Sequence, residues 1–141
     1  MPRAHLTRRV TFAAAHRYRR PEWSDEQNER TFGLCSRESY HGHSYVCEVT
    51  VAGEIHPFTG FIVDLGELDR ILADEVKNRF DHRNINVDVP EFADGKLVPS
   101  GENLARFIFE RVGNRLPKTV SIESVIIAED RTLSATYRGE A

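Results

Sequence analysis

Cysteine is scarce. Cys35 and Cys47 are the only two among 141 residues, enough for one bridge at most, so no disulfide framework is needed and a reducing, cytoplasmic setting is expected. Long apolar runs are missing too: none approaches the ~20 residues of a membrane-spanning helix, and no secretory signal core is expected. Neither sign of charge dominates. Nineteen Lys and Arg stand against 22 Asp and Glu, a net charge of -3, which argues against a nucleic-acid or membrane partner. Low-complexity segments, linkers and internal repeats are also absent.

What is there is an ordinary globular balance, 40% hydrophobic and 29% charged, at a length that suits one domain over residues 1–141. The first 21 residues hold six Arg and no acid, as a targeting segment does. However, Leu6, Arg8, Val10, Phe12 and Ala14 fall at a period of two, which predicts a strand over 5–17. Residues 19–40 lack a sustained period and read as a long loop with one helical turn near Ser24 to Arg30; loops of that length inside a domain tend to be functional. Residues 43–54 alternate as a second strand. Asp64, with Glu67 three residues on, caps a helix whose apolar stripe is Leu65, Leu68, Leu72 and Val76, with Phe80 closing it. Residues 81–98 read as loop. Ser100 caps a second helix with Leu104, Phe107, Ile108, Val112 and Leu116 inward, ending before Pro117. Two further strands, 119–129 and 132–138, flank a tight turn at Asp130-Arg131.

The order β-β-α-α-β-β predicts an α+β fold, an antiparallel sheet with two helices on one face. The other face is left bare, and edge strands rich in Val and Ile invite pairing. Self-association into a closed sheet would answer both difficulties, so a homo-oligomer is expected.

The strongest chemical signal is His41-Gly42-His43. Two imidazoles at i and i+2 of an extended segment project to one face, close enough to share a metal, and Gly42 permits close approach. Alone, the pattern equally describes two polar residues at a strand start. His16 ends the first strand on the face of Phe12 and Ala14, and pairing of strands one and two would bring it beside the other two. Three histidines without a fourth protein ligand describe an open, catalytic type of zinc site. His5 and His56 have no such placement and read as solvent or turn residues. Cys35, six positions before His41, is either a thiolate nucleophile or base, or a small buried hydrophobe; Cys47, mid-strand, fits the second description. Asp81-His82 is either a proton-relay pair or a loop acid beside a capping residue. Glu129 ends an apolar run near the sheet rim, where a buried acid needs a cationic or N–H-rich partner.

In order and spacing, these residues resemble the 6-pyruvoyl-tetrahydropterin synthase / 6-carboxy-tetrahydropterin synthase family from Thr11 to about Gly139. The carrying segments are Phe12-Ala13-Ala14-Ala15-His16-Arg17, Phe32-Gly33-Leu34-Cys35, His41-Gly42-His43-Ser44-Tyr45, Gly53-Glu54-Ile55, Thr59-Gly60, Asp81-His82-Arg83-Asn84, Glu102-Asn103-Leu104-Ala105 and Tyr137-Arg138-Gly139-Glu140. The resemblance implies the tunnelling fold (T-fold), whose subunits join into an oligomeric β-barrel as a trimer that pairs into a hexamer. It further implies Zn2+ held by His16, His41 and His43. Cys35 would be the proton-abstracting base, Asp81 and His82 its relay, and Glu129 the pterin anchor and a relay member, with Glu102 also at the substrate. The implied activity is a carbon–oxygen lyase of tetrahydrobiopterin biosynthesis. Its substrate is 7,8-dihydroneopterin triphosphate, a small molecule that rearranges without net redox change as triphosphate leaves.

Five residues separate Cys35 from His41, which resembles the pyruvoyl-forming members. Ile62-Val63-Asp64-Leu65 is closer to the carboxy-forming members of queuosine biosynthesis, which form the alternative. Ser36 to Tyr40 and Pro99 to Gly101 depart from the family pattern, and these departures would suit a non-catalytic pterin- or zinc-binding paralogue. Asp130 stands where the family has threonine, and either faces a polyanionic substrate or points away. Arg17, Arg19 and Arg20 beside His16 either attract the triphosphate or form a solvated basic face.

Overall fold

The computed structural model describes residues 1–140. Strands β1 (Arg3–His16) and β2 (His41–Glu54) form an unbroken antiparallel ladder from Arg3 opposite Glu54 to His16 opposite His41. Both strands begin two residues before the predicted bounds, because pairing draws His41 and Gly42 into the sheet. A Cβ at Gly42 would sit 3.2 Å from the Ala14 carbonyl oxygen, so glycine is what lets the strands close up there.

Between them, the predicted helical turn is a full helix, α1 (Asp25–Phe32), and Ser24 accepts a hydrogen bond from the Gln27 N–H. Ser24 and Gln27 have the capping-box spacing. Asn28 is wholly buried; it donates to the Arg20 and Ser24 carbonyls and accepts from the Arg20 N–H, pinning the incoming chain. Gly33, at φ 59, ends the helix, and the 3-10 turn Gly33–Ser36 carries Cys35.

Asp64 accepts from the Gly66 N–H and opens α2 (Leu65–Leu72). The helix then widens into a π turn, Ala73–Lys77, before its last turn α3 (Asn78–Phe80). The wider turn buries Glu75 together with Val76. Residues 81–98 are more ordered than predicted. They hold β3 (Arg83–Asn84), α4 (Ile85–Asp88) and a 3-10 turn, Pro90–Phe92, and they bury Ile85, Val89 and Phe92. Ser100 caps α5 (Gly101–Gly113) as expected by accepting from the Asn103 N–H. Leu116 lies beyond its end yet still packs on the core.

Strands β4 (Val120–Ala128) and β5 (Ser134–Tyr137) complete the sheet. The strand order is β3-β1-β2-β4-β5. Three of the four strand pairings are antiparallel as expected, whereas β3 lies parallel to β1 at Ala14 and Ala15, which makes the sheet mixed. Phe12, Tyr45, Cys47, Val49 and Ile127 on one face pack with Leu68, Leu72, Val76, Leu104 and Ile108 from the helices. Burial pushes the Cys47 thiol up to about 12, the behaviour of an inert core residue.

Val46, Glu48, Thr50 and Ile126 on the opposite face are only half-buried, so the bare face is real. The edges differ from expectation: the Val- and Ile-rich strands β2 and β4 are interior. The exposed edges are β5 and the length of β1 not covered by β3. Among the described residues, no helix is long and apolar enough to cross a membrane.

Candidate functional site

The β1–β2 register sets His16 directly opposite His41, with His43 two residues along. Side chains at i and i+2 share a face, so the three rings converge. Their centroids are 4.9, 5.0 and 5.1 Å apart, and one nitrogen from each lies within 4.8 Å of the other two. His16 is fully buried, yet its Nε2 and the Nε2 of His43 have no hydrogen-bond partner. Leaving a buried polar atom unsatisfied costs ~1–3 kcal/mol, and here two such atoms point into one space.

The other nitrogen of His16 meets the Tyr45 hydroxyl. A ring that donates Nδ1–H to that oxygen keeps its Nε2 lone pair free for a metal. Burial, then His43 and His41, push the His16 pKa down to about 3, and burial followed by His43 lowers that of His41. Both rings are therefore neutral at physiological pH, the form that binds metal. Three imidazoles with nitrogens this close together, and no fourth protein ligand grouped with them, fit a divalent metal ion with a coordination position to spare.

Cys35 stands beside this cluster, its Sγ 3.6 Å from the His41 Nε2. Burial, then the Glu129 carboxylate, hold its thiol above the ordinary value. Cys35, Glu102 and Glu129 line one cavity of about 580 Å³, walled by Tyr18, Phe32, Ile127 and β5. Glu129 lies just past the end of β4. Its Oε1 accepts from the Tyr18 hydroxyl at 2.8 Å, which supplies the donor that a half-buried acid requires. Its Oε2 is 3.8 Å from the His43 Nε2, too far for a hydrogen bond.

Asp81 and His82 pair with each other. Asp81 accepts the Ala13 N–H at 2.9 Å through one oxygen and lies 3.0 Å from the His82 Nδ1 through the other. The Ala13 bond is the main reason its carboxyl sits below the usual range. The His82 N–H donates back to the Ala13 carbonyl, which holds His82 at φ 59, a conformation bulky side chains rarely adopt. His82 lines a second cavity of about 530 Å³ together with His43 and Arg83, with Asp81 behind it. Among the described residues, no hydrogen bond links the Asp81–His82 pair to Cys35.

The remaining expectations resolve in the same geometry. Arg17 sits over the Tyr40 ring near Asp94, Arg19 pairs with Asp25, and Arg20 with Glu22. Each guanidinium therefore has an acid beside it, while the buried Arg17 Nε has no partner. Asp130 accepts from the Thr132 N–H and hydroxyl and lines the cavity on the bare sheet face, so it points away from Cys35. His56 accepts two turn N–H groups, as a turn residue should, and His5 is exposed. Tyr18 was not singled out from sequence, and Tyr45 only as the last residue of a family segment, without a role at the site. Both were legible as continuations of the period-two faces, Phe12-Ala14-His16-Tyr18 and His41-His43-Tyr45.

Residues 5–140 match the protein family described as 6-pyruvoyl tetrahydropterin synthase. The 6-pyruvoyl tetrahydrobiopterin synthase of Pongo abelii is 37% identical over 137 residues, 97% of this chain and 92% of the relative. That of Drosophila melanogaster is 39% identical over 139 residues, 98% and 81% of the two chains. The solved 6-pyruvoyl tetrahydropterin synthase of Caenorhabditis elegans superposes with a TM-score of 0.92 at 34% identity, over 99% of this chain and 98% of that one.

Proposed function

The chain belongs to the 6-pyruvoyl tetrahydropterin synthase family, and we propose that it is a zinc-dependent lyase converting 7,8-dihydroneopterin triphosphate to 6-pyruvoyl-tetrahydropterin with loss of triphosphate. The observation that carries this reading is the pair of buried, unpartnered imidazole nitrogens of His16 and His43, beside a cavity that holds both a thiol and a carboxylate. Zinc held by His16, His41 and His43 would supply Lewis acidity to the side-chain oxygens of the substrate and positive charge beside the thiol.

The chain's own groups supply the rest. Glu129 offers two carboxylate oxygens to the adjacent N–H donors of the pterin ring, a fork-to-fork match. Glu102, in the first turn of α5, faces the same cavity. Cys35 Sγ takes the proton from the substrate carbon next to the ring. Asp81 fixes the His82 Nδ1, so the exposed His82 Nε2 is the atom that exchanges protons.

That relay has to reach a thiol on another cavity. The Cys35 cavity opens at the β5 edge, and the Asp81–His82 pair sits at the β1/β3 edge. Edge-to-edge joining of copies into a closed ring, a trimer that pairs into a hexamer, would bring the relay of one chain to the cavity of the next. It would also cover the bare sheet face. Cys35→Ala and His82→Ala proteins, each inactive alone, should then regain activity when refolded together; no regain would place the relay within one chain.

Mass spectrometry of products from 7,8-dihydroneopterin triphosphate and the zinc-loaded protein tests the reaction. Triphosphate with 6-pyruvoyl-tetrahydropterin supports it. 6-Carboxy-tetrahydropterin with acetaldehyde would favour the alternative raised by Ile62-Val63-Asp64-Leu65, and no turnover would remove both.

A further inference from the structure

Tyr18 touches three parts of the site at once. Its backbone N–H donates to the carbonyl of Cys35 at 2.6 Å. Its ring stacks on His16 with centroids 4.6 Å apart and planes 28° from parallel. Its hydroxyl donates to Glu129 Oε1 at 2.8 Å. These contacts join the thiol-bearing turn, a metal-ligand candidate and the carboxylate across separations of up to 111 residues. The ring is also wedged against Phe32, so the phenol cannot swing away without disturbing the cavity wall.

The carboxylate needs such a partner. Glu129 lies beyond the last residue of β4, where its side chain has no strand neighbour on its C-terminal side to hold it. A free carboxylate turns readily about its last side-chain torsion. Binding two adjacent N–H groups requires both oxygens in the plane of the incoming ring. A donor fixed to one oxygen limits that rotation before the ligand arrives, so less orientational freedom is lost on binding.

We propose that Tyr18 is a positioning residue that holds the Glu129 carboxylate in the orientation that receives a fused heterocycle bearing adjacent amino and ring N–H donors. The proposal rests on Glu129 being the ring anchor, as in the function above. Tyr18 acts through Glu129, and the metal cradle does not depend on its hydroxyl. Tyr18→Phe keeps the stack and the backbone bond and removes the hydroxyl alone.

The test is a double-mutant cycle on full-length, zinc-loaded protein, using neopterin as a fluorescent probe for binding and 7,8-dihydroneopterin triphosphate for kinetics. Tyr18→Phe should weaken neopterin binding and raise KM about tenfold, the scale of one hydrogen bond to a charged group. Its kcat should change far less, and its zinc content should match the parent. In a Glu129→Ala background the same substitution should have no further effect on binding. A merely structural tyrosine would instead lower thermal stability and zinc content and leave the KM of the folded fraction unchanged, which overturns the proposal. So does an equal loss in both backgrounds, or no loss in either. If Glu129→Ala binds neopterin as tightly as the parent, the ring-anchor assignment fails and takes the proposal with it. A Tyr18→Phe result without effect, beside a Glu129→Ala result with one, overturns the proposal alone.

Discussion

Among the buried polar groups of this molecule, the cluster around Glu75 and the cluster around His16 are finished differently. At the π turn, Glu75 has both oxygens engaged: Arg79 and Arg111 donate to Oε1, and Arg115 to Oε2. At the strand ends, His16 and His43 each leave Nε2 without a partner. The first cluster is complete within the chain, as structural polar groups are. The second is complete only when something else enters. Burial alone therefore does not mark a site, nor does one unanswered atom such as Glu91 Oε1; two unanswered nitrogens in one cluster of three imidazoles do.

The difference predicts opposite responses to substitution. His16→Ala should lower zinc from near one equivalent per chain to below about a tenth, with activity down by about a thousandfold, because two ligands hold zinc far less well than three. Glu75→Ala should keep its zinc. Elemental analysis of both purified variants decides it, and a Glu75→Ala protein that lost its metal would erase the distinction. Zinc removal by a chelator comes next in size. An ion that binds only the folded state stabilises it by about 4 kcal/mol at a thousand times its dissociation constant, so stripped protein should unfold at a clearly lower temperature and recover with added zinc. His16→Ala should show no such recovery.

Glu75→Ala should cost about 2–3 kcal/mol in denaturant unfolding, less than a fully buried pair because its arginines reach solvent. The pH response has a definite sign. Burial raises the Glu75 pKa, but the hydrogen bonds of Arg115 and Arg111 and the charge of Arg79 outweigh it, leaving it below the ordinary carboxylate value. Its contribution is present above the unfolded-state value and is lost as pH falls through the folded one. The gap between parent and Glu75→Ala should therefore close in acid. A gap that stayed constant with pH would mean that the loss comes from packing.

The two clusters were also unequally legible in the sequence. The histidines could be read because strand alternation is short-ranged and rigid: once β1 and β2 pair, positions 16, 41 and 43 follow from counting by twos. Asp64 and Ser100 announced their helices through local side-chain-to-backbone bonds. The Glu75 cluster was hidden because a π turn shifts the helical count by one residue between α2 and α3, and its arginines arrive from α3, α5 and the turn after α5. The segment 81–98 was hidden for another reason. Its elements span two to four residues, too few to show a period, and Ile85 and Phe92 gain their burial from distant partners. The separation of Asp81–His82 from Cys35 could not be read at all, since adjacency in a motif says nothing about which cavity a side chain enters.

A finer test lies in the second contact of His16. Tyr45→Phe removes the oxygen facing Nδ1 and leaves the packed ring, so zinc affinity should fall about tenfold, the lower end for loss of a group that orients a metal ligand. Competition against a chromogenic chelator measures it. An unchanged affinity would show that packing alone orients His16. Smallest of all should be Asp130→Asn. Asp130 is an acid next to Glu129, the proposed ring anchor, yet its oxygen is spent on Thr132 and it lines the opposite face of the sheet. Asparagine keeps an oxygen for the same two donors, so kcat/KM for the triphosphate substrate should stay within about twofold, the scale of a distant, screened charge. A rise well beyond that would mean that the negative charge of Asp130 reaches the substrate through the sheet or from a neighbouring copy. The bare face would then be part of the site.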